Sequence, residues 1–201
     1  MNKGNLFIIA GPSGSGKDTV MTEVLKVKKD LYFSISSITR PMRQGEVEGA
    51  KYNFISREKF EELLANDELL EHNEFVGNYY GTPKAPVIEN LEKGIDVLIE
   101  VDVNGAEKIR KKMPDMISVF IMPPSLEELK RRLSGRGTES PEIVEKRINE
   151  ALSEIERAKE FDYIVVNDDL KVAVDDILSV IYCAKLTQKN NEHLINQVLG
   201  R

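Results

Sequence analysis

The sequence lacks tryptophan, contains a single cysteine, and has few aromatic residues, which make up 6% of its 201 residues. The one cysteine, Cys183, cannot form an internal disulfide and has no neighbours at a metal-ligand spacing. This cysteine usage fits a reducing compartment, so we expect the protein to be cytoplasmic. We also expect Cys183 to be a buried apolar residue.

Long hydrophobic runs and an excess of positive charge are missing as well. The first apolar run, Leu6–Ala10, is shorter than the h-region of a signal peptide, and no run approaches the roughly 20 residues that span a bilayer. The formal net charge of −6 disfavours nonspecific binding to nucleic acid. We therefore expect neither a membrane nor a nucleic acid as a partner.

The residues that are present favour a globular α/β protein. The composition, 41% apolar and 31% charged, is typical of a chain that buries a sizeable core. Apolar runs predict short buried strands at residues 6–9, 97–99, 117–122 and 163–166. Segments with helical spacing separate these runs, and this alternation predicts a parallel sheet flanked by helices.

Several helix ends can be predicted from local sequence. Ser125 followed by Glu128 three residues later forms a capping-box pattern, and Pro141 suits a first helical position. Gly94 and Gly135 fit helix ends. The segment 191–199 carries apolar residues at helical spacing, namely Leu194, Ile195, Val198 and Leu199. We expect this stripe to be docked core or a subunit contact, which leaves a homo-oligomer open.

A glycine-rich loop follows the first predicted strand. Gly11, Gly16 and Lys17 match GxxxxGK and precede a helical segment, which is the context that the motif requires. Backbone N–H groups, the helix N-terminus and the Lys17 ammonium can together hold a triphosphate. The alternative is a glycine-rich turn that ends in a surface lysine. We expect a nucleoside triphosphate to contact Gly11, Pro12, Ser13, Gly14, Ser15, Gly16, Lys17, Asp18 and Thr19. Taken by itself, the loop could belong to an ATPase, a GTPase or a kinase.

The candidate magnesium ligands are less regular. Asp18 occupies the position where a Ser or Thr hydroxyl usually binds Mg²⁺, and Thr19 lies one residue too far along. Asp18 could hold the ion through water. Glu100 and Asp102 lie at the end of a predicted core strand, where period-two spacing would place both on one face. One of these two could instead bind a substrate base, and both could simply be solvent-facing acids.

Further motifs carry a family resemblance. The run SITRPMR at 37–43, Gly45, Glu46 and Tyr52 are followed by Glu71, GNYYGT at 77–82 and RGT at 136–138. Together with the phosphate loop, these motifs resemble guanylate kinase over about residues 6–180. The resemblance implies a P-loop kinase core of residues 1–33, 85–125 and 148–201, a GMP-binding insert of 34–84, and a helical lid of 126–147.

The resemblance also implies roles for individual residues. It assigns the GMP phosphate to Arg40, Arg43, Tyr52 and Tyr80, and the guanine to Ser36, Glu71, Thr82 and Asp102. It assigns the ATP phosphates and catalysis to Lys17, Arg132, Arg136 and Arg147, and the adenine of ATP to Asn167. Chemistry supports two of these roles independently, because arginine offers a planar fork of donors to phosphate. One carboxylate, such as Glu71, can accept the adjacent N1 and N2 donors of guanine.

The implied activity is transfer of the γ-phosphate of ATP to GMP, giving ADP and GDP in purine nucleotide metabolism, with Mg²⁺ as cofactor. One alternative is a noncatalytic guanylate-kinase-like binding module. Lys17 and the three lid arginines disfavour it. The other alternative is a related kinase of another nucleoside monophosphate or a phosphorylated ribose, and Glu71 with Tyr52 favours GMP.

Overall fold

The computed structural model describes residues 3–135 and 141–201. Its strands are β1 (Leu6–Ala10), β2 (Leu31–Phe33), β3 (Ser36–Ile38), β4 (Tyr52–Phe54), β5 (Leu69–Phe75), β6 (Asn78–Pro83), β7 (Asp96–Glu100), β8 (Ile117–Met122) and β9 (Tyr163–Val166). Its helices are α1 (Lys17–Val27), α2 (Arg57–Ala65), α3 (Lys84–Glu92), α4 (Val103–Lys112), α5 (Leu126–Ser134), α6 (Pro141–Glu156), α7 (Leu170–Lys185) and α8 (Gln188–Leu199).

The chain divides into two compact units. The first unit comprises residues 3–8 and 31–116, and the second comprises 9–30 and 117–201. Strand β1 contributes residues to both units.

The first unit contains parallel strands in the order β2-β7-β1 and a separate four-stranded sheet in the order β4-β3-β6-β5. Strand β2 pairs in parallel with β7, so that Leu31 lies opposite Asp96. In the four-stranded sheet, β6 is antiparallel to both β3 and β5. Helix α2 begins after Ser56, whose hydroxyl accepts a hydrogen bond from the Lys59 N–H, and it buries Phe60 completely.

The second unit has parallel strands in the order β1-β8-β9. Strands β8 and β9 pair from Val119 opposite Tyr163 onward. Helices α5 and α6 share an apolar cluster that includes Leu129, Leu133 and Ala151. Among the residues that the structure describes, no helix has both the length and the apolar character to cross a membrane.

Most of the local predictions are confirmed. The parallel sheet with flanking helices is present, as are the strands at 97–99 and 117–122. Ser125 caps α5 by accepting the Glu128 N–H at 3.1 Å, and α6 begins at Pro141. Gly94 follows α3 with a φ of 78°, whereas Gly135 ends α5 in a right-handed conformation with a φ of −69°.

Two burial predictions are wrong, and one of the two alternatives for the α8 stripe is excluded. Strand β9 exposes Tyr163, Ile164 and Val166, because it lies at the end of the strand order and is not covered on both faces. Cys183 is exposed on α7 instead of buried. The apolar stripe of α8 is exposed and is not docked core, since Leu194 retains 47% of its accessible surface.

The predicted three-part domain division stays a prediction. The whole four-stranded sheet falls within the predicted insert of 34–84. Helix α6 runs to Glu156, so the predicted end of the lid at 147 lies inside a helix.

Candidate functional site

The glycine-rich loop between β1 and α1 has a backbone that only glycine can adopt at two positions. A Cβ on Gly11 would lie 2.3 Å from the carbonyl oxygen of Ile121. Gly16 has a φ of 82°, and a Cβ there would lie 2.3 Å from the side-chain nitrogen of Asn167. These close approaches, together with left-handed φ, explain why the motif needs glycine here. The loop therefore presents its backbone rather than side chains to a ligand.

Asn167 ties this loop to the end of β9. Its side-chain amide donates to the carbonyl oxygen of Ser15 at 2.7 Å, and its own N–H donates to the Met122 carbonyl at 2.8 Å. Asn167 is only 7% exposed. The sequence predicts a contact between Asn167 and adenine, and that contact stays a prediction. The contact in the structure is with the loop backbone.

Arg132 also lies against the phosphate loop. Its guanidinium donates to the carbonyl oxygens of Asn167 at 2.9 Å and of Ser15 at 3.3 Å. Glu128 holds the other side of the same guanidinium through a 2.7 Å bond to Nε. Hydrogen bonds from Arg131 and Arg132 lower the pKa of Glu128 to about 2. The role of Glu128 in holding Arg132 was not predicted, although the i,i+4 spacing of these two residues on a helix favours such a pair.

A second predicted lid arginine contacts the loop directly. Arg147 donates to the hydroxyl of Ser13 at 2.7 Å. Lys17 is the first residue of α1, and Asp18 and Thr19 are exposed in its first turn. Arg136, the remaining predicted lid arginine, lies outside the described residues. Within the described part of the second unit, Lys17, Arg132 and Arg147 thus concentrate positive charge on one loop.

The hydroxyl of Ser15 adds a further sign that the loop is built for a ligand rather than for packing alone. Its oxygen is fully buried and has no hydrogen-bond partner among the residues described. Buried polar groups normally find partners. Together with the glycine backbone, this geometry fits a phosphate chain.

In the first unit, Arg40 is held by a bidentate ion pair with Glu46, at 2.6 and 2.7 Å. The guanidinium lies 5.5 Å from the ring centres of Tyr52 and Phe54. Hydrogen bonding to Glu46 raises the pKa of Arg40, and Tyr80 adds to this effect. The structure therefore brings Arg40, Tyr52 and Tyr80 together, as the resemblance implies for a phosphate grip.

Glu46 is the residue that organises this group. Its carboxylate also accepts the backbone N–H of Arg43 at 2.7 Å. The ion pair with Arg40 lowers the pKa of Glu46 to about 2. The pairing of Glu46 with a residue six positions earlier is set by the loop conformation, so the motif that contains Glu46 did not predict it. Glu46 occupies the donors of Arg40 that a phosphate would need.

Glu71 and Thr82 form a buried pair across β5 and β6. They are register partners, and the Thr82 hydroxyl donates to the Glu71 carboxylate at 2.7 Å. Glu71 is 6% exposed, and this burial raises its pKa to about 7. The neighbouring charge of Asp102 raises the pKa further, whereas the Thr82 hydrogen bond and the charge of Lys108 lower it. A nearly buried carboxylate that receives few hydrogen bonds from the protein is suited to accept hydrogen bonds from a ligand.

Asp102 has a different position from the predicted one. Strand β7 ends at Glu100, and Asp102 is the N-cap of α4, accepting the Gly105 N–H at 2.6 Å. The strand alternation that would place Glu100 and Asp102 on one face therefore does not apply. Asn73 donates to both carboxylate oxygens of Asp102, at 3.1 and 3.2 Å.

Five of the residues predicted for GMP come from one sheet. Ser36 on β3 lies opposite Tyr52 on β4, and Ile38 on β3 lies opposite Tyr80 on β6. Glu71 and Thr82 come from the neighbouring pair β5 and β6. The four-stranded sheet, the loop between β3 and β4 that contains Arg40 and Arg43, and the N-terminus of α4 thus carry the predicted acceptor residues within the first unit.

The prediction of magnesium ligands is not supported by a cluster of metal-binding side chains among the described residues. Over residues 3–135 and 141–201, no three His, Cys, Asp or Glu side chains are arranged to hold a metal ion. Mg²⁺ usually binds through one or two carboxylates, with phosphates and water completing its shell. Asp102 already accepts hydrogen bonds on both oxygens. Binding of Mg²⁺ by Asp18, Glu100 or Asp102 therefore stays a prediction.

A parallel sheet flanked by helices, with GxxxxGK between its first strand and first helix, defines the class of P-loop nucleotide-binding proteins. Comparisons with known proteins narrow this class. The family described as guanylate kinase matches residues 3–183, and the chain belongs to the guanylate kinase family.

Individual relatives support this family membership. The chain is 47% identical to a guanylate kinase of Carboxydothermus hydrogenoformans, over 94% of this chain and 93% of the relative. It is 45% identical to a guanylate kinase of Haemophilus influenzae over the whole length of both. The crystal structure of guanylate kinase from Anaplasma phagocytophilum superposes with a TM-score of 0.76 at 33% identity, covering 93% of this chain and 89% of that one.

Proposed function

We propose that the protein transfers the γ-phosphate of ATP to GMP, producing ADP and GDP. The observation that carries this proposal is the buried Glu71–Thr82 pair in a family member that also has an intact phosphate loop. Guanine presents two adjacent donors, N1–H and N2–H₂, to a carboxylate. Adenine lacks this pair of donors, so it would leave Glu71 unpaired, and such mismatches can reduce the use of a substrate by roughly 10⁴ to 10⁵ fold.

The first unit supplies the acceptor contacts in this proposal. Glu71, Thr82, Ser36 and Asp102 bind the guanine, and Arg40, Arg43, Tyr52 and Tyr80 bind the phosphate of GMP. Arg40 must exchange Glu46 for phosphate. Arginine forms bidentate, charge-assisted pairs with phosphate as it does with carboxylate, so the phosphate of GMP can take the place of Glu46.

The second unit supplies the donor contacts. Backbone N–H groups of the loop Gly11 to Thr19 bind the phosphates of ATP, except that Pro12 has no N–H and those of Ser15 and Thr19 donate within the loop at 3.1 Å. Lys17 reaches the outer phosphates. Asn167 acts on ATP either through adenine, as the family resemblance implies, or through the loop backbone that it holds. An oxygen of the GMP phosphate attacks the γ-phosphorus as the bond to ADP breaks. This oxygen is already ionised, so no general base is needed, and positioned cations stabilise the transition state.

Arg132, Arg136 and Arg147 are the cations proposed to act on the transferred phosphate. Arg132 and Arg147 contact backbone and hydroxyl groups of the phosphate loop, positions from which guanidinium groups can turn to phosphate. Arginines that act in this way contribute on the order of 10³ to 10⁵ in rate. Mg²⁺ would supply further charge neutralisation when bound to ATP, with Asp18 and Glu100 as candidate ligands, directly or through water. Asp102, the other acid predicted from the sequence to bind Mg²⁺, is assigned to guanine in this proposal.

Other parts of the proposal rest on composition and family. We expect a cytoplasmic enzyme of purine nucleotide metabolism that binds neither nucleic acid nor membranes. A homo-oligomer through α8 remains part of the proposal. The noncatalytic binding module is less favoured, because the loop, Lys17 and two described lid arginines are all in place.

A panel of acceptors tests the function. AMP, CMP, UMP, GMP and dGMP are compared at equal ATP and Mg²⁺ by a coupled assay of ADP formation. We expect GMP to exceed AMP in kcat/KM by at least about 10⁴ fold, the lower end of the range that unpaired polar groups impose. Turnover of AMP or a pyrimidine nucleotide ahead of GMP would point to another acceptor. No turnover of any of the five would favour the binding module.

A further inference from the structure

A chain of side-chain hydrogen bonds lies beside the predicted guanine contacts. It runs from Lys108 on α4 through Asn73 on β5 to Asp102. Lys108 donates to the side-chain oxygen of Asn73 at 2.6 Å, and also to the backbone carbonyl of His72. Asn73 in turn donates to both oxygens of Asp102, at 3.1 and 3.2 Å.

Chemistry fixes the direction of this chain. An ammonium group can only donate hydrogen bonds, and a carboxylate can only accept them. The amide of Asn73 must therefore turn its oxygen towards Lys108 and its nitrogen towards Asp102, since the flipped amide would lose both contacts. Lys108 thus fixes the amide, and the amide fixes the plane of the carboxylate.

The chain ends at the group of residues predicted to bind guanine. Asn73 follows Glu71 by two positions on β5, so both side chains leave the same face of the strand. Gly105 lies against both acids: a Cβ there would be 3.2 Å from Glu71 Oε2 and 3.3 Å from Asp102 Oδ1. Only the Gly105 N–H and Asn73 are described as donors to the exposed Asp102 carboxylate.

We propose that Asn73 and Lys108 are positioning residues for GMP recognition, which hold the Asp102 carboxylate in the orientation that guanine needs. This inference rests on the proposed function. Neither residue needs to touch the nucleotide. Because they act on the acceptor side only, their loss raises the KM for GMP and leaves the KM for ATP and kcat nearly unchanged.

Kinetics of single and double variants test the inference. Asn73→Ala removes the side-chain donor to both oxygens of Asp102 and leaves the Gly105 N–H in place, so we expect the KM for GMP to rise about 5 to 20 fold, with kcat and the KM for ATP within about twofold. Lys108→Met should raise the KM for GMP as well, and Lys108→Arg should restore it. The double variant should match Asn73→Ala within about twofold, because Lys108 acts through Asn73.

Lys112→Met is the matched control. Lys112 lies one turn further along α4 and also joins this helix to β5, donating to the Leu69 carbonyl at 2.8 Å and pairing with Asp67 at 3.0 Å. Lys112→Met removes comparable contacts of α4 and leaves the hydrogen bonds among Lys108, Asn73 and Asp102 unchanged. We therefore expect it to lower the unfolding temperature while leaving the KM for GMP unchanged.

Asn73→Asp is nearly isosteric and serves if Asn73→Ala fails to fold. It keeps the acceptor for Lys108 and turns the donor towards Asp102 into a repelling oxygen, so we expect a larger rise in the KM for GMP. An unchanged KM in folded Asn73 variants, or an equal rise in Lys112→Met, would overturn this inference alone. A wild-type protein without GMP turnover would instead overturn the proposed function.

Discussion

At the scale of single residues, Glu71 shows how a recognition group can oppose folding stability. Its pKa is raised from 4.5 to about 7, chiefly by burial. A carboxyl whose folded pKa is raised stabilises the fold most below its unfolded pKa, and this contribution is lost as the pH rises through the folded pKa. The ligand-free protein should thus lose on the order of 3 kcal/mol of stability between about pH 4.5 and pH 7 through this group.

The variant Glu71→Gln tests the effect of Glu71 on GMP binding and its effect on folding stability. We expect the KM for GMP to rise about 100 fold with the KM for ATP unchanged, because one acceptor oxygen becomes a donor that faces guanine. The same variant should flatten the pH dependence of stability, as measured by urea unfolding at pH 5 and pH 8. Equal effects on the KM values for GMP and ATP would mean that Glu71 does not bind guanine. An unchanged pH dependence of stability would mean that its pKa is not raised in the folded protein.

At the scale of elements, the phosphate loop depends on the residue that follows β9. Asn167 donates to the loop backbone from a nearly buried position. Asn167→Ala should leave the Ser15 carbonyl short of a donor and loosen the loop, so we expect a rise of about 10 fold in the KM for ATP. The KM for GMP should stay unchanged.

Binding of a ligand with adenine and of one without it distinguishes the two possible roles of Asn167, which are to hold the phosphate loop and to contact adenine. If its side chain acts through the loop, Asn167→Ala weakens ATP and the adenine-free ligand tripolyphosphate by the same factor, as measured by calorimetry. If it acts on adenine, only ATP is affected. We expect equal weakening, because the structure places the amide on the loop backbone.

Some features of these elements could be predicted from the sequence and others could not. The loop, the Ser125 cap and the start of α6 were predictable because each depends on residues adjacent in sequence. The exposure of β9 was not, because it follows from the position of the strand in the sheet. The Arg40–Glu46 and Lys108–Asn73 contacts were likewise out of reach, since only the folded backbone decides which long side chains meet.

At the scale of the whole molecule, the exposed apolar stripe of α8 is the feature that a single chain leaves unexplained. Leu194, Ile195, Val198 and Leu199 are all exposed, with Val198 at 87%. A helix of 12 residues is about 18 Å long, so its stripe alone is small compared with the roughly 1,200 to 2,000 Å² of stable interfaces. Any self-association through this stripe should therefore be weak and depend on concentration.

Analytical ultracentrifugation over a range of concentrations measures this directly. We expect a monomer–dimer equilibrium in the micromolar range, and loss of the dimer in Leu194→Glu/Val198→Glu, because charges introduced into an apolar contact must be desolvated to dimerise. Gln197→Glu adds charge to the same helix outside the stripe and should leave the equilibrium in place. A protein that stays monomeric at all concentrations, or a dimer that survives the double variant, would exclude α8 as the contact.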